Sequence, residues 1–144
     1  MSKLQILLLN KKRLSKMIET ITAVATTAIT SGSLLVATVN LNKAELCTEQ
    51  MCHPVLVGKN TPKGEFPIIY SKTESPGYKG DVLAFKRDFN GVYAIHRVWT
   101  LKPSEKRLER IKRGSEQRLI TNGCINVSDE LYEELKSYSR VIIK

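Results

Sequence analysis

Beyond residue 32 the apolar positions come in short runs separated by turn residues, which is the spacing of strands and not of long helices. "SLLVATVNL" (33–41) reads as a first strand, and "AELC" (44–47) and "HPVLVG" (53–58) as two more around the polar loop "TEQM". In "NTPKGEF", Pro62 and Gly64 take the second and fourth places of a type I turn. It leads into "FPIIY", whose β-branched and aromatic residues favour a strand. "DVLAFKRDF" and "VYAIHRVW" flank Asn90–Gly91, the strongest short signal for a hairpin. His96 thereby falls near the end of the hairpin's second strand.

Two stretches follow a helical period. "KPSEKRLERIKRG" predicts a short inserted helix with Ser104 as N-cap and Gly114 as terminator. "SDELYEELKSY" is better formed: Ser128 caps it, Asp129 and Glu130 suit the positive end of the helix dipole, and Leu131, Leu135 and Tyr138 share one face. "RVIIK" closes the chain as a strand. The pattern predicts a mainly β domain with a C-terminal α-helix and a short inserted helix.

Residues 1–32 stand apart from this pattern. Lys3, Lys11, Lys12, Arg13 and Lys16 precede a stretch, 21–42, that contains no charge. A basic segment followed by an apolar one suggests export or anchoring in a membrane through 21–42, and a periplasmic or otherwise extracytoplasmic place in the cell envelope; the alternative is an N-terminal helix running into the first buried strand. Its threonines, serines and glycine dilute the apolar run below that of a firm membrane span. The organisation expected is an N-terminal basic and apolar segment over 1–32, then one domain over 33–144.

Charge changes the picture less than its total implies. The chain carries 23 basic and 14 acidic residues. The excess is confined to the N-terminal segment and to 102–118, and the rest is balanced. No basic face with interleaved aromatics is visible, which points away from nucleic acid. The 42% hydrophobic fraction suits a globular domain with a real core.

Reactive groups are few: three cysteines and two histidines. Cys124 lies in "ITNGCINV", among short residues that leave room for a substrate. Gly123 permits a tight turn able to aim amide N–H groups at an oxyanion. A thiol needs a base to act as nucleophile, and His96 at a strand end is the candidate, brought close only by folding. On residues alone, a half-buried thiol beside a satisfied imidazole explains the pattern as well.

"IHRVW…ITNGCINV" resembles the signature of L,D-transpeptidase (YkuD-like) catalytic domains, in which a strand-end His is followed by Ser/Thr-x-Gly-Cys-apolar-Arg/Asn. Thr121, Gly123, Cys124, Ile125 and Asn126 fit in order. "HPVLVGKNTPKGEFPI" is similar to a second element of that family, and "LYEELKSYSRVIIK" to its closing helix and strand. The resemblance spans 34–144. It implies β-sandwich-like mixed sheets and peptidoglycan stem peptides as partners, with no metal or other cofactor. By the same resemblance Cys124 attacks a tetrapeptide stem and expels D-alanine, and His96 is the base. The Arg97 carbonyl orients the imidazole, amides of Gly123 and Cys124 hold the oxyanion, and Thr121, Asn122 and Asn126 contact substrate or shape the loop. Three departures stand out. Asn122 replaces a common histidine, Arg97 a small residue, and the interval from His96 to Cys124 is long and contains the basic helix.

Cys47 and Cys52 flank a four-residue loop and either pair as a disulfide or remain reduced; with His53 they make too few ligands for zinc. The basic helix is either a lid over the site or a solvated surface helix seated on Leu108 and Ile111. Besides transpeptidation, two readings stay open: hydrolysis of wall peptides on the same scaffold, and a catalytically silent module that binds wall or polyanion.

Overall fold

A computed structural model describes residues 34–144. The segment 1–32 lies outside the described residues. Eleven short strands form two main sheets and a minor pair. β1 (Val36–Asn40) is central in the first sheet, whose order is β3-β2-β1-β11-β5. Here β2 is Glu45–Cys47, β3 is Cys52–Pro54, β5 is Gly64–Pro67 and β11 is Arg140–Ile143. The second sheet has the order β10-β8-β7-β6, with β6 Ile69–Lys72, β7 Asp81–Asp88, β8 Gly91–Arg97 and β10 Ile125–Val127. β4 (Val57–Gly58) and β9 (Leu119–Thr121) make the minor pair.

Alternation does the folding. β1 buries Ala37 and Val39, β11 buries Val141 and Ile143, and β7 turns Leu83 and Phe85 inward. These residues meet Ile95, Ile125, Val127 and the apolar face of the C-terminal helix in one cluster. Phe66 of β5 and Phe85 of β7 touch across the sheets with ring centroids 5.6 Å apart. The mixed-sheet sandwich is thus present. An anchor running through 21–42 is not possible over its last third, because Val36–Asn40 is paired on both sides within the sheet.

The Asn90–Gly91 hairpin forms as expected, with β7 and β8 antiparallel. The C-terminal helix, α2 (Asp129–Leu135), is capped by Ser128, whose hydroxyl accepts the Leu131 N–H at 3.2 Å. Leu131, Tyr132 and Leu135 are its buried residues, and Tyr138 is buried just beyond its end. Cys47 and Cys52 are disulfide-bonded at the β2–β3 turn, which leaves Cys124 as the free cysteine among the described residues.

Four expectations are corrected. "HPVLVG" is not one strand: after Pro54, which has no N–H to offer, Leu56 bridges to Asn126 and β4 joins β9. "FPIIY" is divided between the sheets. Pro67 ends β5, the Ile68 N–H bonds to Ser139 O at 2.8 Å, and β6 continues in the other layer. The turn near Pro62 lies earlier than expected, over Gly58–Thr61, where the Thr61 N–H donates to Gly58 O and the Gly58 N–H to Thr61 Oγ1.

The fourth correction concerns the inserted helix, which is shorter and capped differently. A 3₁₀ turn over Pro103–Glu105 contains Ser104, and Lys106 at φ 46° breaks the chain before α1 (Arg107–Arg110). Leu108 is exposed, whereas Ile111 packs with Leu56 and Val98.

Gly58 is where β4 presses on β9. A Cβ there would collide with the Thr121 carbonyl and approach the Gly123 nitrogen at 2.7 Å. Both neighbours are backbone and cannot rotate away. Gly58→Ala should therefore lower unfolding free energy by about 1–3 kcal/mol, the usual range for overpacking. Urea unfolding checks this, and an unchanged midpoint would contradict it.

Candidate active site

The connection from β8 to β10 decides the geometry. These strands are parallel, and such a pair needs a crossover, here supplied by 98–124. Their register sets Asn126 opposite His96 and Val127 opposite Arg97. The crossover returns through β9 and the turn Thr121–Cys124, so Cys124 arrives one residue before β10. A thiol and an imidazole nearly thirty residues apart in sequence thus line one open cavity of about 900 Å3. Tyr78, Lys86, Trp99 and Arg107 contribute to the same walls.

The turn is built around Thr121. Its hydroxyl donates to Cys124 O at 2.6 Å and accepts the Gly123 N–H at 3.2 Å. Gly123 adopts φ 137°, and a Cβ would come within 2.7 Å of the Tyr93 ring. Glycine is required here by both backbone conformation and space. The expectation that the Gly123 amide faces an oxyanion is not met in this state, since that N–H is committed to Thr121. Thr121 is a turn-former whose hydroxyl is used internally, while exposed Asn122 remains on the cavity wall.

His96 is 3% exposed, with its two ring nitrogens placed differently. Nδ1 is 2.7 Å from the Arg97 carbonyl and, since a carbonyl only accepts, must carry the proton. Nε2 faces Asn126 Nδ2 at 3.3 Å. The Tyr78 ring meets the imidazole edge-on, centroids 4.7 Å apart. Burial drives the His96 pKa down to about 4; the Arg97 carbonyl opposes this and the Arg107 charge assists it.

Asn126 is fully buried and does not reach the cavity surface, which corrects its expected contact with substrate. Its side-chain oxygen accepts from the Trp99 N–H at 3.2 Å and from Arg107 at 2.9 Å. Its backbone exchanges two 2.9 Å hydrogen bonds with Leu56.

The Cys124 thiol is half-buried and points its hydrogen at the Val92 carbonyl, 3.8 Å away. Burial raises its pKa, against the Ala94 backbone N–H and the Arg107 charge, which lower it. Tyr78 is also raised, by burial and then by Cys124. At neutral pH the resting set is therefore a thiol, a neutral imidazole and a neutral phenol. Among the described residues the thiol and imidazole share the cavity without a hydrogen bond between them, and such contacts commonly tighten only with substrate bound.

His53 lies on the edge strand β3, away from the cavity lining. Sequence reasoning missed Tyr78, Trp99 and Arg107. Tyr78 sits in a loop ("SPGYKG") with no periodicity to orient it, and Arg107 looked like one basic residue among many.

A family model described as the L,D-transpeptidase catalytic domain, YkuD, matches residues 10–143. The chain belongs to that family. Solved structures share its fold. An L,D-transpeptidase from Xylanimonas cellulosilytica is 17% identical, with a TM-score of 0.51, over 80% of this chain and 62% of that one. L,D-transpeptidase 3 from Mycobacterium tuberculosis, solved with a faropenem-derived adduct, is 12% identical with a TM-score of 0.54, over 76% and 60%. One from Stackebrandtia nassauensis is 15% identical with a TM-score of 0.51, over 83% and 61%. The chain thus spans about three fifths of these L,D-transpeptidase chains. No curated protein matches it.

The depressed pKa of His96 has a consequence for folding. A histidine ordinarily near pH 6.5 but near 4 when folded takes up its proton more readily when unfolded. Its contribution is complete above about pH 6.5 and is lost as the pH falls toward 4. The full effect is on the order of 3 kcal/mol. Unfolding midpoints should fall between pH 6.5 and 5, before Asp81, Glu105 and Glu133, all held below their ordinary values, take up protons. In His96→Gln that slope should flatten. Equal slopes in the two proteins would refute the assignment.

Proposed function

We propose that the protein is a peptidoglycan L,D-transpeptidase that uses Cys124 as nucleophile and His96 as general base. The observation that carries this reading is the pairing of a thiol and a carbonyl-oriented, neutral imidazole on one open cavity, in a chain of this family. Its place is the extracytoplasmic side of the cell envelope, where wall peptides are found. A disulfide at Cys47–Cys52 suits such an oxidising setting.

The chemistry follows from the protonation states. As Sγ of Cys124 bonds to the carbonyl carbon of the stem peptide's third residue, its proton passes to His96 Nε2. The Arg97 carbonyl, holding Nδ1–H, steadies the imidazolium as it forms. The oxyanion is met by the Cys124 amide and by Tyr78, a phenol kept protonated by its surroundings and hence a donor. Collapse breaks the C–N bond, and D-alanine leaves with the proton from His96. In the second half an acceptor amine attacks the thioester, gives a proton to His96, and displaces Cys124, which is protonated again. Water in place of that amine gives hydrolysis instead.

Acylation by a carbapenem, followed by mass spectrometry, tests the first half. The adduct should map to Cys124 and be lost in Cys124→Ser. His96→Ala should slow its formation by roughly 10²–10⁴, the range of general base catalysis, and His53→Ala should leave it nearly unchanged. An adduct on Cys47 or Cys52, or a larger loss at His53, would overturn the assignment. Stem peptide incubated with and without an acceptor amine then separates transfer from hydrolysis.

A further inference from the structure

Arg107 is the residue that the inserted segment delivers to the site. Its side chain is 13% exposed and restrained in three ways. Nε donates to Glu105 at 2.7 Å, the guanidinium lies 5.1 Å over the Trp99 ring, and one terminal nitrogen donates to Asn126 Oδ1 at 2.9 Å. A planar fork held along one edge and stacked on an indole has little freedom left. The cavity wall on this side is thus fixed by a residue that belongs to neither strand of the catalytic pair.

The effect passes through Asn126. Its Oδ1 already accepts the Trp99 N–H, so two donors converge on one oxygen. Rotating the amide by half a turn would set its NH₂ against both donors, in a fully buried place with no water to relieve it. The amide N–H is therefore directed at His96 Nε2. An amide N–H can donate a hydrogen bond but does not give up its proton, so Nε2 must present its lone pair. Nδ1 then carries the hydrogen, as the Arg97 carbonyl on the opposite side also requires.

We propose that Arg107 is a positioning residue that, through Asn126, orients the neutral His96 imidazole and keeps its Nε2 unprotonated at rest, the Asn126 contact giving way when the thiol proton arrives. The proposal rests on the reading of His96 as base. The titratable groups facing the ring are Tyr78 and Cys124, both neutral at pH 7, and Arg107. The guanidinium of Arg97 belongs to a separate cluster with Asp81, Glu133 and Lys136. The Arg107 charge, paired with Glu105 at Nε, lowers the pKa of the imidazole.

Nitrogen-resolved NMR of the histidine rings in the full chain tests this without turnover. In the wild type His96 should be the Nδ1–H tautomer throughout the neutral range. In Arg107→Met the Nδ1–H form, still held by the Arg97 carbonyl, should persist, but the Nε2 signal should shift as the Asn126 contact loosens, and the pKa should rise. Carbapenem acylation should slow about tenfold in kcat-type rate, with the half-saturating concentration little changed and its acidic limb moved up in pH. Arg107→Lys, which keeps the charge and one donor, should recover most of both. Ring signals in Arg107→Met that match the wild type would overturn the proposal. So would a change confined to the half-saturating concentration, which would make Arg107 a substrate contact. Wild-type protein that resists acylation would count against the transpeptidase reading, while the ring signals would still decide the role of Arg107.

Discussion

The parallel pairing of β8 with β10 is the constraint from which the site follows. It puts Asn126 beside His96, and it forces the chain to travel out and back between them. Trp99, Arg107, Thr121, Asn122 and Cys124, all carried by that excursion, line one cavity. The minor β4–β9 pair and the Leu56–Asn126 bridge then fasten the returning chain from its other side. A one-residue slip would bury Asn126 against a different neighbour and move Cys124 to the wrong level, so the register carries the geometry of the site as well as the core.

Burial sets the character of that site more than charge does. His96 and Cys124 are pushed in opposite directions from their usual values, one down and the other up, and each toward its neutral form. A preformed thiolate–imidazolium pair is thereby disfavoured. On the proposed reading of Cys124 as nucleophile, proton transfer would accompany attack on the carbonyl, where the new bond and the oxyanion donors would offset the cost of separating charge. A thiol kept in its neutral form is protected from casual reaction, because the thiolate is the reactive species.

Much of this was legible in the sequence because short-range rules governed it. Asn90–Gly91 specifies its hairpin locally, and Ser128 followed by two acids specifies the start of α2. The Thr-x-Gly-Cys turn was visible as a turn. What escaped were positions decided by partners distant in sequence. Pro54 and Pro67 mark the places where the chain changes sheets, but only the sandwich says which sheet comes next. Lys106 takes a left-handed conformation that its residue type does not announce, and this shortened the expected helix. Asn126 looked like a substrate contact because polar residues near a nucleophile often are. Its role came instead from being fully buried, where each polar atom must find a partner.

Arg97 and Arg107 are each linked to one nitrogen of His96, Arg107 through Asn126 and Arg97 through its own carbonyl. Arg97 is the last residue of β8. Its guanidinium pairs with Asp81 and Glu133 and lies 3.9 Å over the Tyr132 ring, which ties β8 to α2. A side chain anchored in that way stiffens its own peptide, and it is the carbonyl of this peptide that takes the Nδ1–H of His96. Arg107 reaches the other nitrogen through Asn126. Buried and half-buried ion pairs add little net stability, because desolvation offsets most of their attraction. They do impose one geometry over its alternatives, and an imidazole acting as the proposed base would need that selectivity. The contacts of Arg97 and Arg107 thus reach different edges of the same ring.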